Sequence, residues 1–93
     1  MHNPNRVTLY REVNHRIRYY KLSLMLNLFG EYIFLKEYGS IKAKRATRTI
    51  VEYFKNYQEA QIAFEQTLFA KLKRGYSKIK EKNDDTVYRF RTH

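Results

Sequence analysis

The sequence contains no cysteine, so it can form neither a disulfide framework nor a thiolate metal site. It also has no apolar run near the roughly 20 residues that span a bilayer. The first residues, MHNPNR, lack the apolar segment of a signal peptide. These absences predict a soluble, cytoplasmic protein with no membrane partner.

Signatures of catalysis are also missing. The histidines His2, His15 and His93 are scattered along the chain and match neither metal-ligand spacing nor a nucleophile–base pair. The chain has 3 glycines and no glycine-rich phosphate loop. We therefore expect no catalytic residue, no metal site and no cofactor, and we expect that the protein is not an enzyme.

What the sequence has in excess is positive charge. Its 19 Lys and Arg residues stand against 9 Asp and Glu, which gives a formal net charge of +10 and a pI of about 9.9. Aromatic residues make up 16% of the chain, which is too many for a disordered basic tail. A folded basic domain is typical of a protein that binds a polyanion.

Alternation of apolar and polar residues predicts consecutive β-strands at residues 7–13, 17–28, 31–38 and 46–54. No proline interrupts these runs, so all of them can pair. The second run has one apolar face, which an antiparallel sheet covered on one side requires. That face consists of Tyr20, Leu22, Leu24, Leu26 and Leu28.

Apolar residues then recur at intervals of three and four, which predicts a helix over residues 56–76. Asn56 suits the N-cap, with Glu59 completing a capping box, and Gly75 suits the position after the C-terminus. The last turn carries cations, which the helix dipole favours. The residues expected to face the sheet are Ala60, Ala63, Phe64, Thr67, Leu68, Lys71 and Leu72.

The predicted fold class is α+β, with the element order β-β-β-β-α in a single domain of residues 1–93. Short connections imply an antiparallel sheet with the helix packed across its apolar face. We expect the core of the domain at about residues 7–76 and a charged C-terminal extension at 77–93. Residues 86–92 alternate like a strand, so a fifth strand is an alternative for part of this extension.

A basic stretch connects the third and fourth predicted strands. Its cations are Lys42, Lys44, Arg45 and Arg48. A turn lets such residues converge on phosphate oxygens, as sequence-independent binding of nucleic acid requires. The alternative is a solvated loop that protects a sheet edge.

The triplet Tyr38-Gly39-Ser40 comes just before this basic stretch, where the third strand is expected to turn. Gly39 is expected to supply either a positive φ or a close approach of backbone. The ring of Tyr38 has a flat apolar face that suits stacking on a sugar or a base. Packing in the core is the alternative for Tyr38, because it shares a predicted strand face with Tyr32 and Phe34.

Several segments, in this order, resemble the WGR domain, a small module named for a Trp-Gly-Arg triplet. YYKLSL resembles the second strand of the family, and YIFLKEYGSI resembles the strand that ends in the triplet. The stretch from TRTIVEYF to KRGY resembles the following strand, capping turn and helix. At the triplet this chain has Tyr38-Gly39-Ser40, so only the glycine is identical, and Ser40 lacks the charge and fork of a guanidinium.

The resemblance implies a non-catalytic module that binds nucleic acid, DNA rather than RNA, at ends or nicks and with weak sequence specificity. In poly(ADP-ribose) polymerases with WGR domains, the triplet tryptophan packs on a sugar at a DNA end while basic groups contact phosphates. Here Tyr38 would stack, and Lys71 matches a family lysine near the helix end. The implied site residues are Tyr38, Gly39, Ser40, Lys42, Lys44, Arg45, Arg48 and Lys71.

Two other classes of function are alternatives. The basic turn would also suit an acidic protein partner, which would make the chain a protein-interaction module. Small toxin-type ribonucleases have a similar size and charge. Such enzymes usually place helices before the main run of strands, whereas this chain opens with predicted strands.

Overall fold

A computed structural model describes residues 5–43 and 45–78. The strands form one antiparallel sheet in the order β1-β2-β3-β4, and one helix follows them. The elements are β1 (Arg6–Val13), β2 (Arg16–Leu26), β3 (Tyr32–Ser40), β4 (Arg48–Phe54) and α1 (Tyr57–Lys73). The predicted α+β class and element order are confirmed. The strand proposed at 86–92 lies outside the described residues.

The turn between β2 and β3 is fixed by the side chain of Asn27. Its Oδ1 accepts hydrogen bonds from the backbone N–H groups of Phe29, at 2.8 Å, and Glu31, at 2.9 Å. Gly30 completes the turn with a φ of 80°. The turn therefore begins two residues earlier than predicted, and Leu28, expected on the apolar face, is 98% exposed.

The core lies between α1 and one face of the sheet, which we call the helix-side face. Its buried residues are Leu9, Tyr20, Leu22, Leu24, Phe34, Ala60 and Phe64. The ring centroids of Phe34 and Phe64 are 5.7 Å apart, so the helix packs directly on β3. Because side chains alternate along a strand, the remaining residues of each strand form the opposite, open face.

The helix has the predicted N-cap residue and the predicted glycine after its C-terminus. Asn56 Oδ1 accepts a hydrogen bond from the Glu59 N–H at 2.8 Å, and Gly75 has a φ of 100° just after the C-cap residue Arg74. Ala60 and Phe64 are buried as expected. The placement of Leu72 against the sheet is wrong, since it is 37% exposed. In the last turn Lys71 takes the inward position, over the ring of Tyr20.

After α1 the chain returns to the free edge of β1. The Tyr10 N–H donates to the Ser77 carbonyl at 2.7 Å, and the Ser77 N–H donates to the Tyr10 carbonyl at 2.8 Å. This bridge fixes the C-terminal end of the helix beside β1. With 17 residues, α1 is too short and polar to cross a bilayer, and no other helix occurs in the described ranges.

Candidate nucleic-acid interface

The helix-side face changes character where α1 ends. In the strand register Tyr20 lies opposite Leu9 and Tyr38, and Tyr38 lies opposite Arg48. In the next row Arg18 of β2 lies opposite both Arg11 of β1 and Ser40 of β3. We call this region the basic end. It consists of Arg11, Arg18, Tyr38, Ser40, Arg48 and Lys71.

Among the described residues, the arginines of the basic end form no ion pair with an acidic side chain. Like charges directly opposite each other on paired strands are destabilising, and Arg11 faces Arg18 in this way. Within residues 5–43 and 45–78 the ion pairs are Lys21–Glu37, at 3.9 Å, and Lys36–Glu52, at 3.4 Å. Neither pair includes an arginine. The positive charge of these two rows is therefore available to an anionic ligand.

A stack of tyrosines forms the floor of the basic end. The rings of Tyr20 and Tyr38 are nearly parallel, at 10°, with centroids 4.9 Å apart, and Tyr76 meets Tyr20 edge-on at 6.0 Å. Tyr38 is half-buried and packs against the core cluster. One face of its ring is thus covered by Tyr20, and a ligand can reach only the part that remains exposed.

Lys71 places a cation directly over this stack. Its Nζ lies 4.3 Å from the centroid of the Tyr20 ring. Burial lowers the pKa of Lys71 below its ordinary value, and the neighbouring charges of Arg74 and Lys36 lower it further. A phosphate beside Lys71 would offset this repulsion, because an opposite charge favours the ammonium form.

The pKa of the Tyr20 phenol is shifted in the opposite direction, upward. Burial raises the pKa of Tyr20, and the nearby groups of Tyr38, Tyr76 and Glu52 raise it further. The hydroxyl is therefore protonated at neutral pH. Tyr20 acts at this site as an uncharged ring between the core and Tyr38.

The model of the WGR domain family matches residues 6–83, which is more than half of the chain. This chain belongs to the WGR family. WGR domains are nucleic-acid-binding modules, so the family supports a role in binding nucleic acid. Comparison with curated proteins and with solved structures gives no significant match.

The WGR triplet lies inside β3, so the interpretation of Tyr38-Gly39-Ser40 as the start of a turn is wrong. Of the two roles expected for Gly39, close approach is confirmed, whereas a positive φ is not observed. A Cβ on Gly39 would lie 2.8 Å from both the backbone N and the Oγ1 of Thr47. The Thr47 N–H donates to the Tyr38 carbonyl at 2.8 Å. The glycine thus lets the chain enter β4 with Arg48 opposite Tyr38.

The basic loop of this WGR domain begins directly after β3. The Lys42 N–H donates to Ser40 Oγ at 3.2 Å, and the Ala43 N–H donates to the Ser40 carbonyl at 3.0 Å. Lys42 and Arg45 are exposed on this loop. Lys44 lies outside the described residues. Of the basic stretch, Arg48 joins the row of Tyr38 in the sheet, while Lys42 and Arg45 lie past the end of β3.

Arg11 and Arg18 belong to the basic end but were not among the residues predicted from the sequence. The sequence pattern contained a signal for both residues: Arg11 follows Val7 and Leu9 on one face of its strand, and Arg18 shares with Arg16 a face that continues with Tyr20 and Leu22. The sequence alone does not show that the two arginines are neighbours, because only the β1–β2 register places Arg11 opposite Arg18. Arg11 also packs against the chain after the helix, with its Cζ 5.9 Å from the centroid of the Tyr76 ring.

Ligands for a metal ion do not gather at this site. Among residues 5–43 and 45–78, no three His, Cys, Asp or Glu side chains are close enough to hold a metal ion. The groups that the basic end offers are guanidinium, ammonium, hydroxyl and phenol. Guanidinium and ammonium groups bind phosphate oxygens, and phenol rings stack on sugars and bases.

Proposed function

We propose that this WGR domain is a non-catalytic module that binds duplex DNA at ends or nicks, with weak sequence specificity. The observation that supports it most directly is the cross-strand pair of Arg11 and Arg18 on the helix-side face. Neither arginine is in an ion pair within the described ranges. An arrangement that is unfavourable in the free protein is favourable once phosphates lie between the two guanidinium groups.

The phosphate contacts would come from three strands and the helix, namely from Arg11, Arg18, Arg48 and Lys71. By register the three arginines share the helix-side face, and Lys71 of α1 lies over Tyr20 on that face. Contacts of this type fix the position of DNA and carry no sequence information. Binding would therefore be strongly dependent on salt and nearly independent of sequence.

Arg18 would provide the guanidinium that the third position of the triplet lacks. Ser40 occupies that position and has no charge. Arg18 is its direct neighbour on β2, so a guanidinium is still present in the same row of the sheet. The site would thus retain a phosphate-binding fork although the triplet has lost its arginine.

The preference for ends or nicks would come from Tyr38. Its ring is held by Tyr20 and lies opposite Arg48 across the sheet. A break in the duplex exposes the flat face of a sugar or a base, which continuous DNA does not offer. Stacking on Tyr38 would then add to the phosphate contacts only at a break.

The test is fluorescence anisotropy with blunt, nicked and closed duplexes of one sequence over a series of salt concentrations. If about four phosphates are neutralised, log K should fall with log salt at a slope of about −3.6. Arg18→Ala should reduce that slope, whereas Arg6→Ala, at the opposite end of the sheet, should not. Equal binding of all three duplexes would contradict the preference for breaks. A flat salt response would contradict binding through phosphates.

The same assay separates DNA from an acidic protein partner. Polyglutamate provides closely spaced carboxylates but no sugar or base. DNA with an end should displace polyglutamate, and Tyr38→Ala should weaken only the binding of DNA. Tighter binding of polyglutamate than of DNA would favour a protein partner instead.

A further inference from the structure

The open face of the sheet carries a groove that the basic end does not use. Its volume is about 470 Å³, and it is lined by Thr8, Tyr10, Tyr19, Lys21 and Ile41. Tyr10 and Tyr19 lie directly opposite each other on β1 and β2, and Thr8 lies opposite Lys21 in the same register. We call it the tyrosine groove.

The side chains of the tyrosine groove suit a nucleotide. Tyr10 and Tyr19 are half-buried, which keeps their rings in place while leaving part of each accessible. The Lys21 side chain is 44% exposed, and its Nζ lies 3.9 Å from Glu37, too far for a hydrogen bond. The ammonium can therefore contact a phosphate while a base stacks on a ring. Aromatic faces with a nearby cation are the usual means of binding unpaired strands.

The tyrosine groove and the basic end lie on opposite faces of the sheet and meet along the chain at Ser40 and Ile41. Ser40 belongs to the basic end, and the next residue, Ile41, lines the groove. The Ile41 N–H donates to the Ile17 carbonyl at 3.0 Å, which extends the β2–β3 pairing to this point. The exposed loop with Lys42 and Arg45 begins here. A strand that leaves a duplex at Tyr38 would pass these cations on its way to the open face.

We infer that the tyrosine groove binds an unpaired nucleotide of a DNA tail whose duplex part is held at the basic end. The inference rests on the proposed function, since it assumes that DNA binds at the basic end. A peptide ligand is less well matched, because the net charge of +10 and the basic loop beside the groove attract a polyanion. The two faces would then hold the duplex and the single-stranded part of one DNA molecule.

The test compares a blunt duplex with the same duplex carrying an unpaired thymidine tail of about five nucleotides. The tail should tighten binding by about 5- to 150-fold if one base stacks. Tyr19→Leu should abolish this gain and leave binding of the blunt duplex unchanged, whereas Tyr19→Phe should keep it. Tyr53→Leu is the matched control. Tyr53 lies on β4, on the open face of the sheet, where it is 62% exposed but outside the tyrosine groove.

A fluorescent base gives a second measurement that needs no variant to fold. The fluorescence of a 2-aminopurine base in the tail should be quenched when the tailed duplex binds to the parent protein. If the blunt duplex binds but the tail adds no affinity and no quenching, the inference is wrong while the proposed function stands. The inference is also wrong if Tyr19→Leu keeps both the gain in affinity and the quenching. If neither DNA binds at low salt, the proposed function fails and the inference fails with it.

Discussion

The two halves of the helix-side face belong to the same strands but have opposite chemistry. Under α1, β1 and β3 present Leu9 and Phe34, both fully buried. Further along the same strands, on the same face, the side chains are those of Arg11 and Tyr38. One half is a core that stabilises the fold, and the other is a charged surface of arginines without acidic partners among the described residues.

The boundary between the halves is set by where the helix stops. Gly75 adopts a φ of 100°, which ends α1 near Tyr20, so the helix does not extend over the row of Arg11 and Arg18. A longer helix would bury Arg11 and Arg18 without partners, which is strongly unfavourable. One sheet can therefore form a buried core under the helix and a charged surface beyond it, because the helix covers only part of the sheet.

The largest loss of stability is expected from a change in the half of the helix-side face that α1 covers. Phe64→Ala should lower the free energy of unfolding by about 3–5 kcal/mol, because Phe64 is 5% exposed and packs on Phe34. Urea unfolding measures the change. Phe69→Ala is the matched control: Phe69 is 61% exposed on the same helix, and its loss should change stability by no more than about 0.5 kcal/mol. An unchanged stability of Phe64→Ala would mean that the wrong helix face has been placed inside.

The next largest effect tests the ring on the boundary itself. Tyr38→Ala should weaken binding to DNA ends and nicks by about 1–3 kcal/mol while leaving closed duplex nearly unchanged. It should also lower the melting temperature, because the stack with Tyr20 is lost. Tyr38→Phe should preserve both properties. A folded Tyr38→Ala protein that still prefers ends would rule out stacking and leave the basic end as an electrostatic surface.

The covered half was largely predictable from sequence, and the uncovered half was not. Hydrophobic period and capping residues are local signals, so the element order, the Asn56 cap and the Gly75 stop were all predicted correctly. The basic end depends on register between strands, and one sequence does not show which arginine lies opposite which. For Gly39 the sequence indicated a special backbone position, but the contact with Thr47 is made between strands and appears only in the fold.

A smaller effect would separate stability from binding in the uncovered half. Arg18→Ala should raise the free energy of unfolding by up to about 1 kcal/mol, because it removes a like-charge pair with Arg11. The same change should weaken binding to every duplex and reduce the salt slope by about one. Arg6→Ala, which removes an exposed charge from β1, should change neither quantity. Loss of stability in Arg18→Ala would show that the arginine is structural.

The smallest effect concerns the tyrosine that both halves share. The pKa of Tyr20 is raised by burial and by its neighbours, so in the unfolded chain, where the value is 10.0, the phenol loses its proton more readily. Its contribution to stability is therefore complete below pH 10.0 and declines as the pH rises through the folded pKa. Lys71 acts in the opposite direction, because its pKa is lowered in the folded state.

Tyr20→Phe isolates the contribution of the phenol, since it keeps the ring in the stack and removes the titrating group. The difference in unfolding free energy between the parent and Tyr20→Phe should be constant at neutral pH. Above pH 10.0 it should shift in favour of the variant. A difference for Tyr20→Phe that stays constant through the alkaline range would mean that the ring between core and basic end is open to water, and that the two halves are not separated at Tyr20.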